Sequence, residues 1–172
     1  MTDAEALRTD VLIVGAGPVG MTLALALADS PWRVTLLDRR ARGAWAGDPR
    51  TLALSLGSVQ LLQRLGAWPA DVAQPIAQVH VSQAPPSWSA LGREAAVRIT
   101  AQDEAVPMLG AVLGYGQVVA PLQAAWEAAV QREPQRLQMR FGTPVAALKP
   151  LPDGAGVAVA HAPPIASTRV AS

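Results

Sequence analysis

Short apolar runs separated by glycine- and proline-bearing breaks set the pattern of this chain, and the earliest run is the most informative. Val11 to Val14 is too short for an ordinary helix but suits a fully buried parallel strand. Gly15, Gly17 and Gly20 follow, and then an almost wholly apolar segment through Leu23, Leu25 and Leu27, so the pattern predicts a helix from about Pro18 to Asp29 that is covered on more than one side. Pro18 is tolerated in the first turn, where a missing N–H loses no partner. Ser30-Pro31 ends the helix, and Arg33-Val-Thr-Leu-Leu-Asp38 predicts a second buried strand. Taken as one run, residues 11 to 28 also suit a membrane-spanning helix, but the glycines and Pro18 interrupt it and Asp29 closes it. A secretory leader is disfavoured too, because Asp3 and Glu5 offset Arg8 and no cleavage-like segment follows.

Further on, Thr51 to Leu65 has helical spacing through Leu54, Val59, Leu62 and Leu65, with Gly66 as the stop. Gln78 to Gln83 alternates, which predicts a strand with Val79 and Val81 on one face and His80 on the other. Residues 84 to 102 read as a loop or hairpin with weak strand character at Val97 to Ile99. The glycine-punctuated apolar stretch Pro107 to Gly116 leads through Gln117-Val-Val into a helix from about Pro121 to Arg132, with Leu122, Trp126 and Val130 on its core face. Leu137 to Phe141, Val145 to Leu148 and Val157 to Ala160 predict short strands, with Asp153-Gly154 as a hairpin turn. The pattern then stops, and residues 161–172 are expected to form a disordered tail. The fold class is therefore α/β: a Rossmann-like βαβ unit with part of a mixed sheet and a β-meander.

Composition narrows the chemistry. A chain of 172 residues with 51% hydrophobic and 16% charged residues is of globular type and long enough for one domain. A net charge of +1, with Arg39, Arg40 and Arg42 as the only local basic cluster, gives no electrostatic case for a nucleic-acid partner. The lack of cysteine excludes disulfides, a thiolate nucleophile and zinc–sulfur sites, and two histidines do not make a convincing metal site. A reducing, cytoplasmic compartment is the default expectation.

What remains is the glycine turn. Gly15, Gly17 and Gly20 stand at G-x-G-x-x-G spacing between a strand and a helix, where free N–H groups and the helix dipole can face a pyrophosphate. Asp38 lies 18 residues after Gly20 at the end of the second strand, where an acid can bond the ribose hydroxyls of an adenine dinucleotide. Arg39 and Arg40 could accept a 2′-phosphate, but Asp38 would repel it, so FAD or NAD is preferred over NADP at this site. Arg50 precedes the expected helix and reads either as a solvated surface arginine or as a contact for the remainder of a long cofactor.

The phrases Asp10-Val-Leu-Ile-Val-Gly-Ala-Gly-Pro-Val-Gly20, Val34-Thr-Leu-Leu-Asp38, Arg50-Thr-Leu-Ala-Leu-Ser-Leu-Gly-Ser58, Leu65-Gly-Ala-Trp68 and Ile76-Ala-Gln-Val-His-Val-Ser82 together resemble the N-terminal part of the class A flavoprotein monooxygenases, in their ubiquinone-biosynthesis hydroxylase branch. The resemblance implies that Gly15, Gly17, Pro18 and Gly20 hold the FAD pyrophosphate, that Asp38, with Arg39 beside it, holds the ribose, and that Arg50 lies near the flavin. Tyr115-Gly-Gln-Val-Val119 is similar to the stretch in which related hydroxylases place a glutamine against the flavin, which implies a role for Gln117. It further implies NAD(P)H as reductant, oxygen as co-substrate and a small aromatic substrate, a polyprenylated phenol of quinone synthesis. Because such precursors are lipid-soluble, peripheral membrane or biosynthetic-complex contact is compatible with it. The cofactor carries the hard chemistry in such enzymes, which agrees with the lack of an acid–base dyad or nucleophile constellation. The family's later Asp-Gly and Gly-Asp motifs are not found in their proper context, so the chain reads as a truncated member that lacks the C-terminal half of the family fold, and the resemblance implies a partial FAD-binding domain over 4–160 with the start of the substrate-domain strands at about 76–116. The alternatives are an NAD-dependent dehydrogenase or reductase using the same turn, and a non-catalytic remnant.

Overall fold

The computed structural model describes residues 8–82, 96–151, 154–159 and 165–171. Its frame is a six-stranded sheet in the order β8-β2-β1-β11-β10-β9, formed by β1 (Arg8–Val14), β2 (Val34–Leu37), β8 (Leu137–Arg140), β9 (Val145–Leu151), β10 (Gly154–Val159) and β11 (Ile165–Ala171). β1, β2, β8 and β11 run parallel, while β9 and β10 add to β11 as an antiparallel meander. Alternation along the parallel strands divides the core. Val11, Ile13, Val34 and Leu36 join the main cluster with Met21, Ala24 and Trp126, whereas Leu12 and Leu37 form a smaller one with Val14 and Val145. Met21 and Ala24 come from α1 (Pro18–Ala26) and Trp126 from α3 (Tyr115–Arg132), and all three are fully buried. Each leucine-sized side chain buried here contributes about 1.5–3 kcal/mol.

The predicted βαβ unit is present, with α1 ending at Ala26, three residues before the expected Asp29. Thr51 to Leu65 is not one helix, as its spacing predicts. Residues Thr51–Ser55 form β3, and only Leu56–Arg64 forms the helix α2. The reason is tertiary: β3 pairs antiparallel with β7 (Gly110–Gly114), Leu52 opposite Leu113, and those interstrand bonds outweigh local helical spacing. Ser55 marks the switch, since its Oγ accepts the Ser58 N–H at 3.3 Å as an N-cap. β4 (Gln74–Ile76) completes this three-stranded sheet on the other side of β7.

The last helix also differs from expectation. α3 begins at Tyr115, six residues before Pro121, which sits inside its second turn. Gln117 makes the early start feasible, because its Oε1 accepts the Gly114 N–H at 2.8 Å. The predicted strand at Gln78 is β5 (Gln78–Ser82), paired only with β6 (Ala96–Thr100) among the described residues. The Asp153-Gly154 turn falls partly outside the described residues, but β9 and β10 pair across it with Leu151 opposite Gly154.

Residues 165–171 correct the disordered-tail expectation. They form β11, which inserts between β1 and β10, with Arg8 opposite Ala166 and Ile13 opposite Ala171. No local period announces this strand, because its order comes from pairing on both sides with distant parts of the chain. Among the described residues no helix is long and apolar enough to cross a membrane.

Candidate functional site

The carboxyl ends of β1 and β2 deliver the two halves of the predicted site to one place. β1 runs into Gly15, whose N–H donates to Leu37 O at 2.7 Å, so the turn is fastened to the end of β2. Gly15 has φ +107°, a conformation that L side chains rarely adopt. Gly20 is required for a different reason. A Cβ there would lie 1.9 Å from the Gly15 carbonyl oxygen, so only glycine lets α1 close onto the turn. Gly17 caps α1 through its backbone alone and Pro18 has no N–H, which leaves the N–H groups of Val19 and Gly20 without intrahelical acceptors at the positive end of the helix.

Asp38 is buried at the end of β2. Its Oδ2 accepts the Ala16 N–H at 2.7 Å, which ties the acid directly to the glycine turn. The other bonds come from Arg40 rather than Arg39. The Arg40 backbone N–H donates to Oδ1 at 2.7 Å, Nε to Oδ1 at 3.1 Å and Nη2 to Oδ2 at 2.9 Å. Burial alone would push the Asp38 carboxyl up, but the hydrogen bonds from Arg40 and Ala16 outweigh it and hold the carboxyl below its ordinary value. Arg39 is exposed and faces a hollow of about 380 Å³ that it shares with Val14, Gly15, Asp38, Arg40 and Thr143.

Arg50 stands at the start of β3, not ahead of a helix, and its backbone carbonyl accepts the Tyr115 N–H at 2.7 Å. Its guanidinium forks onto Asp48, Nε to Oδ1 at 2.8 Å and Nη2 to Oδ2 at 2.6 Å, and lies over the Tyr115 ring with Cζ 4.3 Å from the centroid. The Arg50 bonds hold the Asp48 carboxyl down at about 2. Gln117 is exposed, and although its side chain caps Gly114 it also borders a hollow of about 400 Å³ with Trp45, Asp48 and Gly116. The loop carrying Asp48 and Arg50 is docked onto α3. Trp45 Nε1 donates to Gln123 Oε1 at 2.7 Å, Gln123 Nε2 donates to Glu127 Oε1 at 2.8 Å, and Arg42 Nη1 pairs with the same oxygen at 2.9 Å.

Gly15, Gly17, Pro18, Gly20, Asp38 and Arg39 thus form one continuous edge. Tyr115 connects it to Arg50, because its hydroxyl accepts from Arg40 Nη1 at 3.4 Å and its ring supports Arg50. Sequence reasoning considered Arg40 only as a partner for a 2′-phosphate, and it missed Asp48 and Tyr115 as members of this group. The available signal was that Tyr115 is the chain's only tyrosine and precedes Gly116-Gln117.

A family model described as an FAD binding domain matches residues 8–110. Ubiquinone hydroxylase UbiM of Neisseria meningitidis is 42% identical over 65 residues, which span 36% of this chain and 14% of that protein. Among solved structures, the flavin-dependent monooxygenase PieE in complex with FAD and substrate superposes with TM-score 0.70 at 23% identity, over 95% of this chain and 30% of that one. PqsL, a probable FAD-dependent monooxygenase from Pseudomonas aeruginosa, gives TM-score 0.66 at 16% identity, over 95% and 41%. These likenesses establish a shared fold, and the chain spans less than half the length of each of these relatives. A match over more than half of its residues, on the segment that holds the glycine turn, Asp38 and Arg50, places this chain in the FAD binding domain family.

Proposed function

We propose that this chain is the FAD-holding portion of a flavin-dependent monooxygenase that hydroxylates an aromatic ring, with NAD(P)H as reductant and a polyprenylated phenol of quinone synthesis as the substrate class. The observation that carries the reading is the convergence of Gly15, Gly17, Gly20 and Asp38 at the carboxyl ends of β1 and β2, inside the segment that matches the FAD family. The substrate class rests on the 65-residue likeness to a ubiquinone hydroxylase.

FAD fits the donors present. The Val19 and Gly20 N–H groups and the α1 dipole suit a pyrophosphate, Pro18 presets the first turn, and glycine at 20 lets α1 close onto the turn so that those N–H groups reach it. Asp38 suits the ribose hydroxyls. Ala16 and Arg40 already occupy all four of its acceptor positions, so a ribose diol would take the place of part of the Arg40 fork. Arg39 borders the same hollow as an exposed cation, and Gln117 borders the second hollow beside Trp45 and Asp48. Bound FAD would supply the redox chemistry: one oxygen atom of O₂ enters the ring as hydroxyl, and the other leaves as water with two electrons from NAD(P)H. The protein's own part is to bind and orient, since the described site places no proton-transfer pair beside the turn. Exposed Arg50 also supplies positive charge without needing to titrate.

Titration of the purified chain with FAD, followed by flavin fluorescence, tests this reading, with NAD and NADP as comparators. Uptake of FAD in preference to both nicotinamide nucleotides is expected, and Asp38→Asn should weaken it by about tenfold, the loss of a charge-assisted bond. Absence of flavin uptake, or selective binding of NAD, would overturn it.

A further inference from the structure

Tyr115 has an unusual combination of surroundings for a tyrosine at the start of a helix. It is only 5% exposed, yet three groups of the candidate site converge on it. Its hydroxyl sits against Gly17, where a Cβ would lie 3.4 Å from the phenolic oxygen. The same oxygen accepts from Arg40 Nη1 at 3.4 Å, and the ring face carries the Arg50 guanidinium. A phenol is both donor and acceptor. Here the acceptor side is used by Arg40, and the O–H donor is left beside Gly17 of the glycine turn.

The geometry points to Tyr115 as a diphosphate-binding residue. Its O–H donates to a phosphoryl oxygen of a dinucleotide held at Gly17, and its hydroxyl and ring keep Arg40 and Arg50 turned toward the same charge. A hydroxyl at this point adds a donor that the N-terminus of α1 cannot supply, because Pro18 removes one of its N–H groups. A cation stacked on an aromatic face and paired with one carboxylate is also held in a narrower range of positions than a free surface arginine. The role is compatible with the packing, since a Cβ at Gly17 would stand in ordinary van der Waals contact with the phenolic oxygen.

This inference rests on the FAD reading above, and the test separates the two. Wild type, Tyr115→Phe and Tyr115→Leu are titrated with FAD, ADP and adenosine by calorimetry, and each protein is melted without ligand. Tyr115→Phe keeps the ring under Arg50 and should melt close to wild type, but bind FAD and ADP about tenfold more weakly with adenosine unchanged. Tyr115→Leu removes the ring as well and should lose a further several-fold for the two diphosphates. Equal affinity of wild type and Tyr115→Phe for ADP would overturn the assignment, and so would a parallel loss of adenosine binding, which marks general disruption. If wild type binds none of the three ligands, the FAD reading itself fails and takes this role with it.

Discussion

Asp38 shows how much of the site is decided at the level of single atoms. Its carboxylate is buried and satisfied by one turn N–H and one arginine, so its charge contributes to folding as well as to any ribose contact. Asp38→Asn should cost about 1.5–3 kcal/mol at neutral pH in urea unfolding, the worth of hydrogen bonds to a charged group. Because the folded carboxyl titrates below its ordinary value, that stabilisation is present above the ordinary carboxylate range and is lost as pH falls through the lowered value. The gap between the two proteins should therefore close in acid. Asp48 offers a cleaner titration: its carboxyl resonance should have a midpoint of about 2, moving back up in Arg50→Gln. Gly20→Ala places a methyl group 1.9 Å from a carbonyl oxygen, and a loss of about 3 kcal/mol, the upper end for overpacking, is expected as a lower melting temperature. The glycine requirement and the acid were legible in the sequence, since both follow from spacing along one short segment. That Arg40 and not Arg39 engages Asp38 was not, because neighbouring residues differ only in which way the backbone turns after β2.

At the scale of elements, the connections between helices and sheet are made by a few long polar side chains. Arg136 follows α3 just before β8 and donates to the carbonyls of Ala28 and Trp32, between the end of α1 and the neighbouring strand β2, while pairing with Glu133. Arg136→Ala would remove both of those bonds and the ion pair with Glu133. A destabilisation of about 1–3 kcal/mol is expected in chemical denaturation, with smaller loss for Arg136→Lys, which keeps a donor but not the fork. The Trp45–Gln123 bond has a more local consequence, since Gln123→Ala should speed amide hydrogen exchange across residues 44–50 while leaving the central strands protected. Helix α3 itself illustrates the limit of pattern reading. Pro121 looks like a helix start, yet the helix begins at Tyr115, because β7 delivers the chain to Gly114 and Gln117 caps it there.

For the whole molecule, the described surface is uneven. Val81 and Val97 are each 59% exposed on the β5–β6 ribbon, and Val19, 76% exposed, borders an apolar groove of about 470 Å³ between α1 and α2 with Leu23, Leu54 and Leu61. Apolar ribbons and grooves of this kind promote association. Val81→Thr with Val97→Thr should reduce self-association in sedimentation velocity while leaving the melting temperature nearly unchanged, because neither side chain belongs to the core.

The sequence alone determined the β1–turn–α1–β2–Asp38 unit, because every requirement there is local: a buried strand, glycines at fixed intervals, a proline in the first turn and an acid at the next strand end. It also determined that Trp126 is a core residue. Tertiary structure alone decided that residues 51–55 are a strand, that residues 165–171 fill the space between β1 and β10, and that Tyr115 joins Gly17 to Arg40 and Arg50. In each of these cases the deciding hydrogen bonds or contacts link residues far apart along the chain, and local periodicity carries no record of a distant partner.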